Sequence, residues 1–177
     1  MLKRTAIALH ARIKESGAEA PSVPIIVYAL EIVFNTVAIS LLVLIVGLVS
    51  GELLRTAELL VLFGIIRFIS GGYHLPSNGY CIVVSTILLA ILPHITLPES
   101  VMYGLTGASL LIMIIFAPAN YDQYARISTK YYPLMKMLAC LIVASNVLLQ
   151  SDMLSLAFAI QSVLLLFKNK SASADAD

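Results

Sequence analysis

Residues 32–51 read IVFNTVAISLLVLIVGLVSG, twenty positions without a charge between Glu31 and Glu52. Wound as an α-helix rising 1.5 Å per residue, the run is about 30 Å long, the thickness of a bilayer's hydrocarbon core. It predicts a membrane span over about residues 30–50. Five more apolar runs follow, at about 53–70, 79–97, 101–117, 134–150 and 153–167. The run at 53–70 carries Arg55, Glu58 and Arg67, and the last two are short for full spans. None shows the period-2 alternation of a membrane barrel. A helix satisfies its own backbone groups in lipid, whereas an open sheet edge does not. Composition points the same way: 60% of the 177 residues are hydrophobic and 12% charged, against about 45–50% and 25% in soluble domains. The predicted fold class is all-α, a polytopic membrane protein of about six transmembrane helices preceded by an interfacial amphipathic helix.

The charges orient these spans. With the N-terminus inside, Lys3, Arg4, Arg12, Lys14, Arg67, Arg126, Lys130, Lys136, Lys168 and Lys170 fall at inner ends, ten of the 11 basic residues. Arg55 falls at an outer end, and Glu52, Glu99 and Asp152 mark the outer turns. Such a bias marks cytoplasmic loops and predicts both termini inside. Four spans with re-entrant or interfacial pieces also fit the weaker runs. Within 1–20, Leu2, Ala6, Leu9 and Ile13 share one helical face, while Lys3, Arg4, Thr5, His10, Arg12 and Lys14 lie elsewhere and Ile7 breaks the pattern. That predicts a cytoplasmic helix lying on anionic inner-leaflet lipid; a basic retention tail is the blander alternative. Basic residues as far as Lys14 leave no compact apolar core for a signal peptide. Gly17, Pro21 and Pro24 end this helix before a single transmembrane unit over 24–168, and residues 169–177 form a polar cytoplasmic tail. A net charge of +1 gives no basic footprint for nucleic acid. Glu31 and Asn35 lie one turn apart at the start of the first span, Arg55 and Glu58 are spaced to pair, and Gly104 and Gly107 offer a weak point for close helix contact.

The densest chemistry lies between the second and third runs: Arg67-Phe-Ile-Ser-Gly-Gly-Tyr-His-Leu-Pro-Ser-Asn-Gly-Tyr-Cys81. Gly71-Gly72, Pro76 and Asn78-Gly79 do not all fit one regular helix. The glycine pair ends one helix, and Asn78-Gly79 forms a turn or cap before the next. Cys81 then falls in or near a first helical turn, where unpaired amides and the helix dipole favour a thiolate. His74, seven residues upstream on a segment able to fold back, is the candidate base. Arg67 brings a fixed positive charge that suits either a peptide carboxylate or an oxyanion. On the residues alone, the structural alternative stands beside the catalytic one, because a helical Cys is more often a small buried hydrophobe. Cys140, in LACLIVA, has no basic partner and is expected in the core; His94 is expected at the outer interface. Two cysteines at different depths support neither a disulfide nor a soft metal site, and no HExxH spacing occurs. No cofactor and no metal are expected.

This segment resembles the accessory gene regulator B (AgrB) family, the membrane endopeptidases of Gram-positive quorum sensing. The shared elements are an Arg, a Gly-Gly-x-His and a Cys seven residues after the His: Arg67, Gly71-Gly72-Tyr73-His74 and Cys81. Phe116-Ala117-Pro118-Ala119 matches the family's Ala-Pro pair, and chain length and the spread of apolar runs agree over nearly the whole sequence. The resemblance implies that Cys81 is the nucleophile and His74 its general base. Arg67, Gly71, Gly72, Ser77, Asn78, Pro118, Arg126 and Lys130 would support the site or bind substrate. It further implies cleavage of the C-terminal part of a short AgrD-like precursor peptide through an acyl-enzyme thioester, closure of the remainder into a thiolactone or lactone signal, a homodimer, and a bacterial plasma-membrane location with the site on the cytoplasmic side. Two departures bear on the precursor more than on the chemistry. The loop Asn120-Tyr121-Asp122-Gln123-Tyr124-Ala125-Arg126 is less basic than the family's, and Leu75 stands where a small Ala is common. From other classes, a small six-helix transport component that binds a solute fits the same length and hydrophobicity. So does a non-catalytic scaffold with Cys81 as inert core. Neither needs a Cys-His pair.

Overall fold

The computed structural model describes residues 2–73, 77–121 and 127–168. Their regular structure is helical: α1 (Leu2–Glu15), α2 (Val23–Val49), α3 (Leu53–Ser70), α4 (Asn78–Ile91), α5 (Glu99–Phe116), α6 (Tyr132–Leu149) and α7 (Asp152–Leu165), with 3-10 turns at Leu92–His94 and Thr129–Tyr131. Among the described residues the nearest thing to a sheet is one isolated parallel bridge, Gly71 to Ala119. The chain is an all-helical membrane protein. By length and apolarity α2, α5 and the stretch Thr129–Leu149 that contains α6 suffice to cross a bilayer; α4 with its 3-10 extension and α7 are shorter apolar helices.

The helices fall on the apolar runs, and their ends have local causes. α2 begins at Val23, well before the expected position near 30, because Pro24 occupies its first turn, where a missing amide hydrogen costs no intrahelical bond. Proline there starts a helix as readily as it ends one. α4 stops at Ile91, short of residue 97, and tightens into a 3-10 turn containing Pro93, which cannot donate to the α-helical ladder. Between α6 and α7, Gln150 takes a left-handed conformation and the Ser151 hydroxyl accepts the Leu154 amide hydrogen. Asn146, fully buried, ties the same corner: its Nδ2 donates to Ser155 Oγ at 2.8 Å and to the Ser151 carbonyl at 3.1 Å, and its Oδ1 accepts the Ser151 amide at 3.1 Å.

Packing is inside out relative to a soluble protein. Large apolar side chains stay exposed along the helices, Val49 at 84%, Leu54 at 85% and Leu148 at 87%, as expected of surfaces facing lipid. α7 forms the centre, burying Met153, Leu154, Ala157, Phe158 and Leu165 against α5 and α3. α4 packs on α2, and α6 on α5 and α3.

Three local expectations change. α1 buries Ala6 and half-buries Leu2, His10 and Ile13, while Leu9 is exposed. His10 turns inward because its Nδ1 donates to the Pro21 carbonyl at 2.8 Å; the four basic residues of α1 remain exposed. Arg55 pairs with Glu52 at 3.8 Å rather than with Glu58, and an exposed pair of this kind adds little stability. Gly104 and Gly107 face outward, and a Cβ on either would meet nothing within 4 Å, so no described helix packs closely on them.

Candidate active site

The segment after α3 is held by a clamp drawn from three parts of the chain. α3 ends at Gly71 (φ 70°), followed by Gly72 (φ 121°). The Gly72 amide donates to the Ala119 carbonyl at 3.1 Å, the Ala119 amide to the Ser70 carbonyl at 3.0 Å, and the Tyr73 amide to the Leu164 carbonyl at 2.9 Å. A Cβ on Gly71 would lie 2.1 Å from the Ala119 carbonyl oxygen, and one on Gly72 would lie 2.8 Å from Arg67 Nη1. Side chains are therefore excluded at both positions by space as well as by φ. Ala119 follows the cis Ala117–Pro118 peptide at the end of α5. The two sequence markers, Gly71-Gly72 and Ala117-Pro118, thus meet in space.

Arg67, in the last turn of α3, closes the clamp from below. Its Nη2 donates to the Tyr73 carbonyl and its Nη1 to Gln161 Oε1 at 3.3 Å. Gln161 is fully buried in α7 and donates through Nε2 to Ser70 Oγ at 2.8 Å and to the Gly71 carbonyl at 2.6 Å. One glutamine therefore joins α7, α3 and the glycine pair. Farther out, the Tyr73 and Phe167 rings stand 5.9 Å apart and Asn120 Nδ2 donates to the Phe167 carbonyl at 3.0 Å. Tyr121 is half-buried beside this loop. Burial pushes its phenol up to about 12, outweighing the nearby Arg67 charge, which acts the other way.

Cys81 sits in the first turn of α4, 8% exposed, with its amide donating to the Ser77 carbonyl at 3.0 Å. It lines a cavity of about 230 Å³ together with Arg67 and Tyr73, and Arg67 lies within electrostatic reach of it and of Tyr28. The other walls come from α2, α3, α4 and α7 and are mostly apolar, among them Leu60, Phe63, Val84, Leu88 and Ile160. Asn35 of α2 also lines this cavity at 6% exposure; its Nδ2 donates to Asn78 Oδ1 at 3.3 Å and its Oδ1 accepts no hydrogen bond from any described residue. A buried acceptor in that state costs about 1–3 kcal/mol.

The predicted site residues divide accordingly. Arg67, Gly71, Gly72, Asn78, Pro118 and Cys81 belong to the clamp, the cavity or the segments that build them. Ser77 is exposed at the N-cap of α4, and Lys130 is exposed on the 3-10 turn Thr129–Tyr131. Asn78 and Gly79 lie inside α4 rather than before it. His74 and Arg126 lie outside the described residues. Cys140 is partly buried against the hydrophobic core of α6. Tyr73 stands at the unspecified position of Gly-Gly-x-His and Tyr121 in the loop after Ala-Pro, whereas Gln161 has no motif to announce it; its signal is a lone carboxamide within an apolar helix, costly at membrane depth unless paired. Among the described residues no three His, Cys, Asp or Glu side chains gather closely enough to hold a metal ion.

The family model for accessory gene regulator B matches residues 6–169. A Halalkalibacterium halodurans protein named "Putative AgrB-like protein" is 26% identical over 174 residues, covering 93% of this chain and 87% of that protein. A Listeria monocytogenes protein of the same name is 28% identical over 113 residues, covering 62% of this chain and 55% of its own. No solved structure matches. A match that takes in the glycine clamp, the Ala-Pro turn and the cysteine-bearing helix places this chain in the accessory gene regulator B family.

Proposed function

We propose that the protein is a membrane-embedded cysteine endopeptidase with Cys81 as nucleophile and His74 as general base. Family membership supports a role in quorum-sensing peptide processing at the membrane. The observation that carries the finer reading is the position of Cys81: buried in a first helical turn, on a cavity it shares with Arg67. The orphan amides of that turn and the guanidinium are both electropositive, the setting in which a thiol becomes reactive.

The chemistry follows in balanced steps. His74 takes the Cys81 proton as Sγ attacks the scissile carbonyl of the precursor. Arg67 lies at the same end of the cavity and offers a donor to the oxyanion or to a peptide carboxylate. The tetrahedral adduct collapses with loss of the C–N bond, and the imidazolium returns its proton to the departing amine. The N-terminal part of the precursor stays on Cys81 as a thioester. A Cys or Ser within that peptide then gives its proton to the neutral His74 as it attacks the thioester carbonyl; the C–S bond to Cys81 breaks, the Cys81 sulfur takes that proton back, and a thiolactone or lactone closes. Held close, an internal nucleophile has an effective molarity of order 10⁵ M or more, and apolar walls restrict water, its competitor. The clamp gives the segment carrying His74 a fixed origin at Tyr73, anchored by Arg67 and the Leu164 carbonyl.

Six spans, α2 to α7, with the site and both termini on the cytoplasmic side of the bacterial plasma membrane, account for the ten inner basic residues. α1 lies on anionic lipid through its exposed Lys3, Arg4, Arg12 and Lys14. Family membership supports a precursor peptide as substrate; an AgrD-like peptide and a homodimer are part of this proposal. The test is cleavage of a short precursor with an amphipathic N-terminus, a central Cys or Ser and an acidic tail. Cys81→Ser and His74→Ala are expected to abolish cleavage without loss of membrane insertion, and Cys140→Ser to retain it. Normal cleavage by purified Cys81→Ala removes the reading.

A further inference from the structure

We infer that Asn35 and the cavity beneath Cys81 form a subsite for an extended apolar peptide segment, in which Asn35 Oδ1 accepts one main-chain N–H beside the scissile carbonyl. The inference rests on the endopeptidase reading and names the part of the substrate that the cavity would take.

Three observations carry it. Asn35 is 6% exposed, yet its Oδ1 accepts no hydrogen bond from any described residue. Such groups are normally satisfied inside proteins, and more so at membrane depth. Its other amide atom is used: Nδ2 donates to Asn78 Oδ1 at 3.3 Å, which fixes the carboxamide with the nitrogen toward α4. Asn78 stands three residues before Cys81, on the same face of α4. The unfilled acceptor is thereby registered to the helix turn that bears the sulfur.

The cavity supplies the rest of the ligand chemistry. It runs along α4 from Cys81 to Leu89, eight residues on, or about 12 Å of helix. Leu60, Phe63 and Val84 form its sides. Walls of this kind suit apolar side chains and offer a peptide's main chain few partners. Each buried peptide N–H must still find an acceptor. Asn35 Oδ1 is an acceptor left open for it beside the Cys81 turn, and Arg67 brings a donor to the same region.

The test uses labelling of Cys81 in the full-length detergent-solubilised protein. The probe is acetyl-Leu-Leu-chloromethylketone, together with two analogues in which an ester oxygen replaces one or the other leucine N–H. In the wild type, one analogue is expected to label Cys81 roughly tenfold more slowly than the parent, the effect of one lost hydrogen bond in a water-poor site. In Asn35→Ala the parent slows by a similar factor and the difference between parent and analogue disappears. Asn35→Asp, which keeps an acceptor oxygen, retains the difference. Two equally fast ester analogues in the wild type overturn the inference without recourse to any variant. A difference that persists in Asn35→Ala overturns it as well, leaving Asn35 a structural role only. Flat labelling alongside Cys81-dependent precursor cleavage removes this subsite and spares the endopeptidase; cleavage that continues without Cys81 removes the endopeptidase itself.

Discussion

Replacing Gly71 with alanine sets a methyl group against the Ala119 carbonyl oxygen. The built Cβ lies 2.1 Å from that atom, where ordinary contact begins near 3.4 Å, so the two chain segments must part by more than 1 Å. The same oxygen accepts the Gly72 amide hydrogen at 3.1 Å, and that bond is lost with the displacement. A φ of 70° adds backbone strain for any side chain. Strain of about 1–3 kcal/mol and a hydrogen bond of about 1 kcal/mol sum to roughly 2–4 kcal/mol against the closed clamp. At 1.4 kcal/mol per factor of ten, opening becomes on the order of 10²-fold more frequent. Hydrogen–deuterium exchange on the purified protein reads this directly. The Gly72-to-Tyr73 and Ala119 amides are expected to exchange on the order of 10²-fold faster in Gly71→Ala, with α5 and α6 interior amides unchanged. Precursor cleavage falls in parallel, since His74 follows the clamp. Unchanged protection at Ala119, with full cleavage, would refute the idea that this bridge holds the segment leading to His74.

Other outcomes follow from the same geometry. Gln161→Leu keeps the volume but strips partners from Ser70, Gly71 and Arg67; it is expected to cost about 2–4 kcal/mol in thermal or denaturant unfolding, and an unaltered melt contradicts the role assigned to that glutamine. Tyr121 has a phenol raised by burial from 10.0 to about 12, so the folded state prefers the neutral ring. Its stabilising contribution is complete below pH 10 and is lost as pH rises toward about 12, and Tyr121→Phe should flatten that part of the wild-type stability profile. At neutral pH a maleimide is expected to modify Cys81 faster than Cys140 despite deeper burial of Cys81, and His74→Ala to slow only Cys81; equal sluggishness of both thiols favours a transport or scaffold role.

The helical architecture was legible because lipid imposes a coarse rule: long uncharged runs must be helices. Ile32–Gly51 announced α2, though its true start at Val23 was hidden by Pro24, a residue with opposite meanings at the two ends of a helix. The inward turn of His10 depends on the Pro21 carbonyl, which lies across a loop and leaves no periodic trace. Within the site, glycines and a cysteine have local signatures, so Gly71-Gly72 and Cys81 stood out at once. Gln161 has no such signature, and Asn35 is marked only by its one-turn spacing from Glu31, not by its partner Asn78. Each acts through a partner 43 to 94 positions away, and separation of that kind is invisible to spacing arguments. The joining of Gly71 to Ala119 explains why two distant markers occur in one chain: each supplies half of a backbone bridge.

In the proposed reaction Cys81 carries the precursor's acyl group. Intact-mass measurement of the purified protein, quenched in acid during precursor turnover, tests it. A hydroxylamine-labile adduct is expected on Cys81, equal in mass to the N-terminal part of the precursor less water and absent from Cys81→Ala. Continued cleavage with no adduct, or with the adduct on Cys140, contradicts it.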